Sequence, residues 1–211
     1  MIKFKHSAQE GRTFIETLAY IMIMITITAG IASVVSRSYY RYECSAVQQD
    51  LIDLHKAIVK HYAVDGQYYN VKWDDLCEDN LGPKSMMPER VCTGEGDNIK
   101  CYCKRKKGRH IFEGMVDIGP SDCEDEYCST FYIEFHDLPK DICSQLGVKS
   151  WTTISGSDLE RMEINRTVWS WEYSPIQGES SLIEKELPAT VEDVSNACHE
   201  GYDNRIKWYF N

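Results

Sequence analysis

The feature that most constrains this chain is Thr17–Ser36, TLAYIMIMITITAGIASVVS, twenty consecutive residues with no charge and almost no polarity. A run of that length is enough to cross a bilayer as one helix. Lys3, Lys5 and Arg12 precede it, and Arg37 and Arg41 follow it. That asymmetry gives a mild preference for a cytoplasmic N-terminal tail. A cleaved secretory signal begins in the same way, but this run is long for one. It also lacks a small-x-small cleavage site followed by a polar N-terminus.

The helical pattern continues beyond the apolar run. Val47, Leu51, Leu54, Ile58 and Tyr62 recur at steps of three and four, with Gln48, Gln49, Asp50, Lys56 and Lys60 between them. This spacing predicts an amphipathic helix that needs a partner surface. The turn dipeptide Asp65-Gly66 should end it. One helix from about Thr13 to Val64 is expected, greasy all round in its first half and on one face in its second. That design suits a helix that sits first in lipid and then in a protein bundle, with its C-terminal half packed on its own head. Gly30 is tolerated in a membrane helix and permits close packing or local melting, with incidental composition as the alternative.

Of nine cysteines, eight lie in the region expected to form the head: Cys77, Cys92, Cys101, Cys103, Cys123, Cys128, Cys143 and Cys198. An even number in a small domain fits disulfides and an oxidising compartment, but eight cysteines allow 105 connectivities. Cys101 and Cys103 alternate on an extended chain, so each is expected to bond elsewhere. Cys44 is left over on the helix, with a buried free thiol, an intermolecular link and a different count of pairs all open.

The head reads as mixed structure. A long irregular stretch runs from Gln67 to Arg109, with a short helix near Val71–Leu76. Strands are expected at His110–Ile118 and Ser129–Phe135 around an acidic turn at Gly119–Tyr127. A helix at Leu138–Leu146 should be capped by Asp137, and one or two strands should follow at Arg161–Tyr173. Thr190 should start a short helix to Cys198, before a last strand at Asn204–Phe210. The expectation is an α+β unit with about four antiparallel strands lying across the long helix.

Beyond Arg41 the chain carries 18 Lys/Arg against 31 Asp/Glu. Such an acidic balance argues against nucleic acid or anionic lipid as the head's main partner. The basic cluster Lys104–His110 reads as a solvated loop tip or a contact for an acidic face of a neighbouring subunit. No GxSxG elbow or HExxH occurs, and His136 and His199 have no arguable nucleophile. Cys92, Cys101, Cys103 and His110 match no zinc-finger spacing, and Asp117–Glu126 follows no strict calcium loop. No catalytic residue, cofactor or metal is therefore expected. Asn165-Arg166-Thr167 satisfies the glycosylation sequon, which a bacterial export route would leave bare. Trp151, Trp169, Trp171, Trp208, Tyr68, Tyr69, Tyr173 and Tyr209 are mostly assigned to the sheet core, with a minority left for contacts.

Gly11, Glu16 and the basic tail and apolar run around them resemble the class III signal and helix of the type IV pilin and pseudopilin family. The resemblance implies cleavage by prepilin peptidase after Gly11, with Arg12 as the new N-terminus and Glu16 as the fifth mature residue. Arg12 stands where that family usually has Phe or Met. A carboxylate in hydrocarbon carries a penalty of several kcal/mol even on lenient scales. The ammonium of a neighbouring subunit's new N-terminus is the partner that stacking in register would offer Glu16. The resemblance also makes Cys143 and Cys198 the leading disulfide pair, closing the C-terminal part of the head.

The expected protein is thus a structural subunit of a type IV pilus or a type II secretion pseudopilus, and not an enzyme. Its parts would be a cleaved leader (1–11), a transmembrane and filament-core helix (12–36), an amphipathic continuation (37–65) and an extracytoplasmic head (66–211). Its partners would be copies of itself or other pilins, prepilin peptidase, an inner-membrane assembly platform and, before assembly, the lipid bilayer. The precursor would lie in the bacterial inner membrane with its head in the periplasm. The alternative is a membrane-anchored binding or sensory domain that forms no filament.

Overall fold

The computed structural model describes residues 8–62, 67–94, 99–124, 127–149, 159–171 and 183–211. Helix α1 runs from Ala8 to Tyr62 without a break, and its expected end at Asp65-Gly66 lies outside the described residues. Contacts divide the chain into two units, residues 1–43 and 44–211.

In the first unit nothing from Phe14 to Ser38 is buried, and the large apolar side chains Phe14, Ile15, Met22, Ile25 and Ile31 are all exposed. Three hydroxyls of this stretch are closed on the helix itself. Thr26 Oγ1 donates to the Ile23 carbonyl at 2.8 Å, Thr28 Oγ1 to Met24 at 2.7 Å and Ser33 Oγ to Gly30 at 2.8 Å. A helix that bonds its own hydroxyls as well as its own amides meets the main requirement for life in hydrocarbon. A Cβ on Gly30 would meet nothing within 4 Å among the described residues, so none of their contacts demands glycine there.

The second unit is α+β. Among the described residues seven strands form its main sheet: β3 (Gly108–Arg109), β4 (Met115–Glu124), β5 (Tyr127–Leu138), β6 (Leu159–Ile164), β7 (Thr167–Ser170), β8 (Ile183–Glu186) and β9 (Asn204–Phe210). Their order is β3-β4-β5-β9-β6-β7-β8, antiparallel throughout except for the parallel pair β7 and β8. Strands β1 (Arg90–Thr93) and β2 (Lys100–Cys103) make a separate antiparallel pair. The sheet is thus larger than the expected four strands, because short β3 and β8 extend it at its edges.

The stripe of Val47, Leu51, Leu54 and Ile58 on α1 is fully buried, as its periodicity requires. Phe131, Ile133 and Phe135 of β5 and Ile206, Trp208 and Phe210 of β9 are buried at alternate positions. From α1, the His55 ring lies 5.6 Å from Phe131 and 4.6 Å from Phe210, which places the helix on this face of the central strands. Burying a large apolar side chain contributes roughly 1.5–3 kcal/mol, so this helix–sheet layer is a major source of stability.

Four local expectations need correction. His110–Gly114 is a turn and not strand: the His110 amide donates to the Gly114 carbonyl at 3.1 Å and Glu113 N to His110 O at 2.9 Å, so β4 starts at Met115. Gly119–Glu124, expected as an acidic turn, continues β4, with Cys123 paired to Cys128 across the hairpin. Asp137 does not cap the following helix; it lies in β5 with φ of 56° at a register shift, and α3 (Lys140–Val148) starts after Pro139 with no side-chain cap. The short helix α2 is Trp73–Glu78, two residues later than expected. By contrast, Thr190 does cap α4 (Val191–Ala197), accepting from the Asp193 amide at 3.2 Å. Trp151 and Tyr173 lie outside the described residues.

Candidate functional site

The irregular stretch after α1 is pinned at three levels. Tyr62 at the end of α1 donates to the Asn70 carbonyl or the Asp75 carboxylate, each 3.0 Å away. Burial, with Asp75 beside it, pushes its phenol pKa well up, so it stays a donor. The indole of Trp73 donates to the Val116 carbonyl at 2.9 Å, tying α2 to β4. Cys77 on α2 is then bonded to Cys103 at the end of β2, their Cα atoms 6.3 Å apart.

The other disulfides follow the strands. Cys92 and Cys101 face each other across β1 and β2, and Cys123 and Cys128 across β4 and β5, each pair with Cα atoms 4.0 Å apart. Cys101 and Cys103 therefore bond to different partners. Cys143 on α3 is bonded to Cys198 at the C-cap of α4, Cα atoms 6.0 Å apart, joining two helices 55 residues apart in sequence. Cys92, Cys101 and Cys103 are all used in this way. Cys44 is a buried free thiol whose sulfur accepts a hydrogen bond from Gln48 Nε2 at 3.6 Å, and burial raises its pKa.

The sheet face away from the core carries charge and rings together. Lys207 Nζ lies 3.8 Å from the Tyr132 ring centre, and the Arg161 guanidinium 4.0 Å from that of Tyr209. Glu134 sits among Arg205 Nε at 3.2 Å, Lys207 Nζ at 3.9 Å and His136 Nε2 at 3.5 Å. Burial, with the Glu163 carboxylate nearby, pushes the Tyr209 phenol up to about 12. His136 and His199 line one shallow polar cleft of about 310 Å³ with Asp137, Asn165, Arg166 and Asp203. Among the described residues that line that cleft there is no serine, threonine or cysteine.

Part of the basic cluster is paired within the domain. Lys104 meets Glu89 at 2.8 Å, Lys107 meets Asp117 at 2.5 Å and Arg109 meets Glu113 at 3.4 Å. His110 is a buried packing residue. Gly11 and Arg12 lie on the helical backbone of α1, and Glu16 is exposed one turn further on. Trp169, Trp208 and Tyr209 are buried, while Tyr69 and Trp171 are about half exposed.

Residues 42–211, four fifths of the chain, match the PilS N-terminal family. The chain belongs to this family of type IV pilins. Among solved structures, the pilin is similar to the crystal structure of type IV b pilin from Salmonella typhi, at 15% identity over 65% of this chain and 75% of that one, with a TM-score of 0.36. No curated protein matches the sequence. The pilin is a structural subunit, and its apolar N-terminal helix is compatible with a membrane anchor.

Beyond the pair Cys143–Cys198, which the resemblance implied, the cysteine pairing, the turn at His110 and strand β8 were not readable from the order of residues. For Cys123 and Cys128 a signal did exist, since two cysteines five residues apart around a hairpin can face each other across a ladder.

Proposed function

We propose that this pilin is cleaved by prepilin peptidase between Gly11 and Arg12 and assembled with copies of itself or other pilins into a helical filament. The filament is a type IV pilus or a type II secretion pseudopilus. Before assembly, residues 12–36 hold the precursor in the bacterial inner membrane, with the disulfide-bonded head in the periplasm. An inner-membrane platform then extracts it.

The observation that carries this reading is the place of Glu16. It stands in α1 directly before twenty residues without charge, a stretch in which the hydroxyls of Thr26, Thr28 and Ser33 bond back to the helix. A plain anchor has no use for a carboxylate at that position. Cleavage after Gly11 creates an ammonium four residues away in sequence, and in a stack of subunits the ammonium of one copy neutralises Glu16 of the next. Contacts of this head-to-tail kind do not close on themselves, so they build filaments.

Intact mass and N-terminal sequencing of the protein from membranes and from sheared surface filaments tests the proposal. The expected result is a chain starting at Arg12, lighter by the hydrogens of four disulfides. A chain in both fractions that starts at Met1 would leave a membrane-anchored domain without processing. One that starts near Arg37 would remove the filament helix and with it the proposal.

A further inference from the structure

The twenty residues between Glu16 and Arg37 rise about 30 Å as a helix, the hydrocarbon thickness of an ordinary bilayer. If Glu16 marks one polar boundary, Arg37 marks the other. At that point the sequence changes character at once, to Arg37-Ser38-Tyr39-Tyr40-Arg41-Tyr42. At 3.6 residues per turn, Tyr39 and Tyr42 fall on one side of α1 and Arg37 and Arg41 on the opposite side, with Tyr40 flanking Arg37. Tyr39 is 61% and Tyr42 69% exposed, and both arginines are exposed.

We propose that Arg37–Tyr42 is a headgroup girdle, a ring of phenols and guanidiniums that binds phospholipid headgroups and sets how deep the helix sits. This rests on the membrane reading above. A tyrosine has an apolar ring and a polar tip, which is why it collects where hydrocarbon meets water. A guanidinium matches the phosphate of a headgroup with two parallel N–H donors and remains charged at any depth it reaches. With both chemistries on opposite sides of one turn and a half, the helix is gripped at the same level all round. Sliding inward would drag two arginines into hydrocarbon, and sliding outward would lift apolar residues such as Val34 and Val35 into water.

The test uses the full chain, one copy per phospholipid nanodisc, with Cys44→Ala so that a nitroxide attaches only to an introduced cysteine. Ser38→Cys reports the girdle, Ile27→Cys the middle of the span and Lys106→Cys the aqueous head. Collision with oxygen and with a water-soluble nickel chelate gives the depth of each label. The Ile27 label should lie in hydrocarbon and the Ser38 label at the phosphate level. Replacing Arg37 and Arg41 with Gln and Tyr39 and Tyr42 with Ser should move the Ser38 label by two or three residues of helix rise, about 3–5 Å. A Ser38 label as open to the nickel chelate as the Lys106 label, or a depth unchanged by the four substitutions, overturns the girdle while the Ile27 label still supports the anchor. An Ile27 label outside hydrocarbon overturns the girdle and the anchor together.

Discussion

Asn165 Nδ2 donates to Asn204 Oδ1 at 3.1 Å, joining the β6–β7 turn to the first residue of β9. The rest of both amides is also committed. Asn204, wholly buried, donates to the Leu138 carbonyl at 3.0 Å and the His199 carbonyl at 2.9 Å, and accepts from the His199 amide at 2.6 Å. Asn165 donates to the Ala197 carbonyl at 2.7 Å and accepts from the Arg205 amide at 3.0 Å. Two side chains thereby replace the backbone bonds that β5, α4 and the β6–β7 turn leave open.

Asn204→Ala strands several of these partners, and each buried polar group left alone costs about 1–3 kcal/mol. Urea unfolding should therefore show a loss of several kcal/mol. Asn204→Asp should not rescue it, because a carboxylate has no N–H for the Leu138 and His199 carbonyls. The same geometry bears on the sequon, since both Nδ2 hydrogens of Asn165 are in use. In a glycosylating host, mass spectrometry should find Asn165 unmodified in the folded fraction.

The disulfides should differ in worth by the length of chain they close. In the chain-entropy account, Cys143–Cys198 with its 55-residue separation contributes about 4 kcal/mol, and Cys123–Cys128 with its separation of 5 about 2 kcal/mol. Denaturant unfolding of the two double Cys→Ser variants should give losses in a ratio of about two. Equal losses would mean that local packing, and not loop closure, sets their contribution.

His110 makes the head sensitive to mild acid. Its Nδ1 accepts from the Phe112 amide at 3.2 Å and its Nε2 donates to the His136 carbonyl at 2.7 Å, an arrangement only the neutral ring can make. Burial lowers its pKa from the usual 6.5, against the raising influence of the His136 carbonyl, Asp137 and Glu113. Because the unfolded chain binds this proton more readily, the contribution to stability is full above about 6.5 and is lost as pH falls through the lowered value. Thermal unfolding between pH 8 and 5 should show that loss, and His110→Gln should flatten it while lowering stability at pH 8. Gly114 belongs to the same turn: a Cβ there would fall 2.1 Å from the His136 carbonyl oxygen, so Gly114→Ala should cost about 1–3 kcal/mol.

Glu16→Leu separates anchoring from assembly. The substitution leaves the head untouched and makes the span more apolar, so the protein should accumulate in membranes with unchanged head stability. Sheared filament yield should fall at least tenfold. Wild-type filament yield would mean that Glu16 rests at the lipid interface and takes no part in stacking.

Much of the architecture follows from period and caps. The stripe from Val47 to Tyr62, the Thr190 cap and the alternation in β5 and β9 each state their element locally, and each forms. What escaped was decided by distant partners. Gly-Pro and acidic residues make Gly119–Glu124 look like a turn, yet β3 pairs with β4 only at Met115 and Val116, leaving Pro120 at an edge where its missing N–H removes no ladder bond. His110–Gly114 has the composition of a strand, but the close approach of Gly114 to His136 folds it back. At the N-terminus, the reading of Gly11, Arg12 and Glu16 rests on spacing along the chain alone, and it is the mass and filament measurements above that test it.

The hydroxyls of Thr26, Thr28 and Ser33 turn back onto the carbonyls of Ile23, Met24 and Gly30. Where hydroxyls close in this way, the middle of the span has little energetic preference between acyl chains and the flanks of other helices. Moving it from one host to the other is then nearly isoenergetic along the span, and the difference is concentrated at its two polar ends. Such a segment is a solute with two interchangeable solvents, held in either one only by its termini.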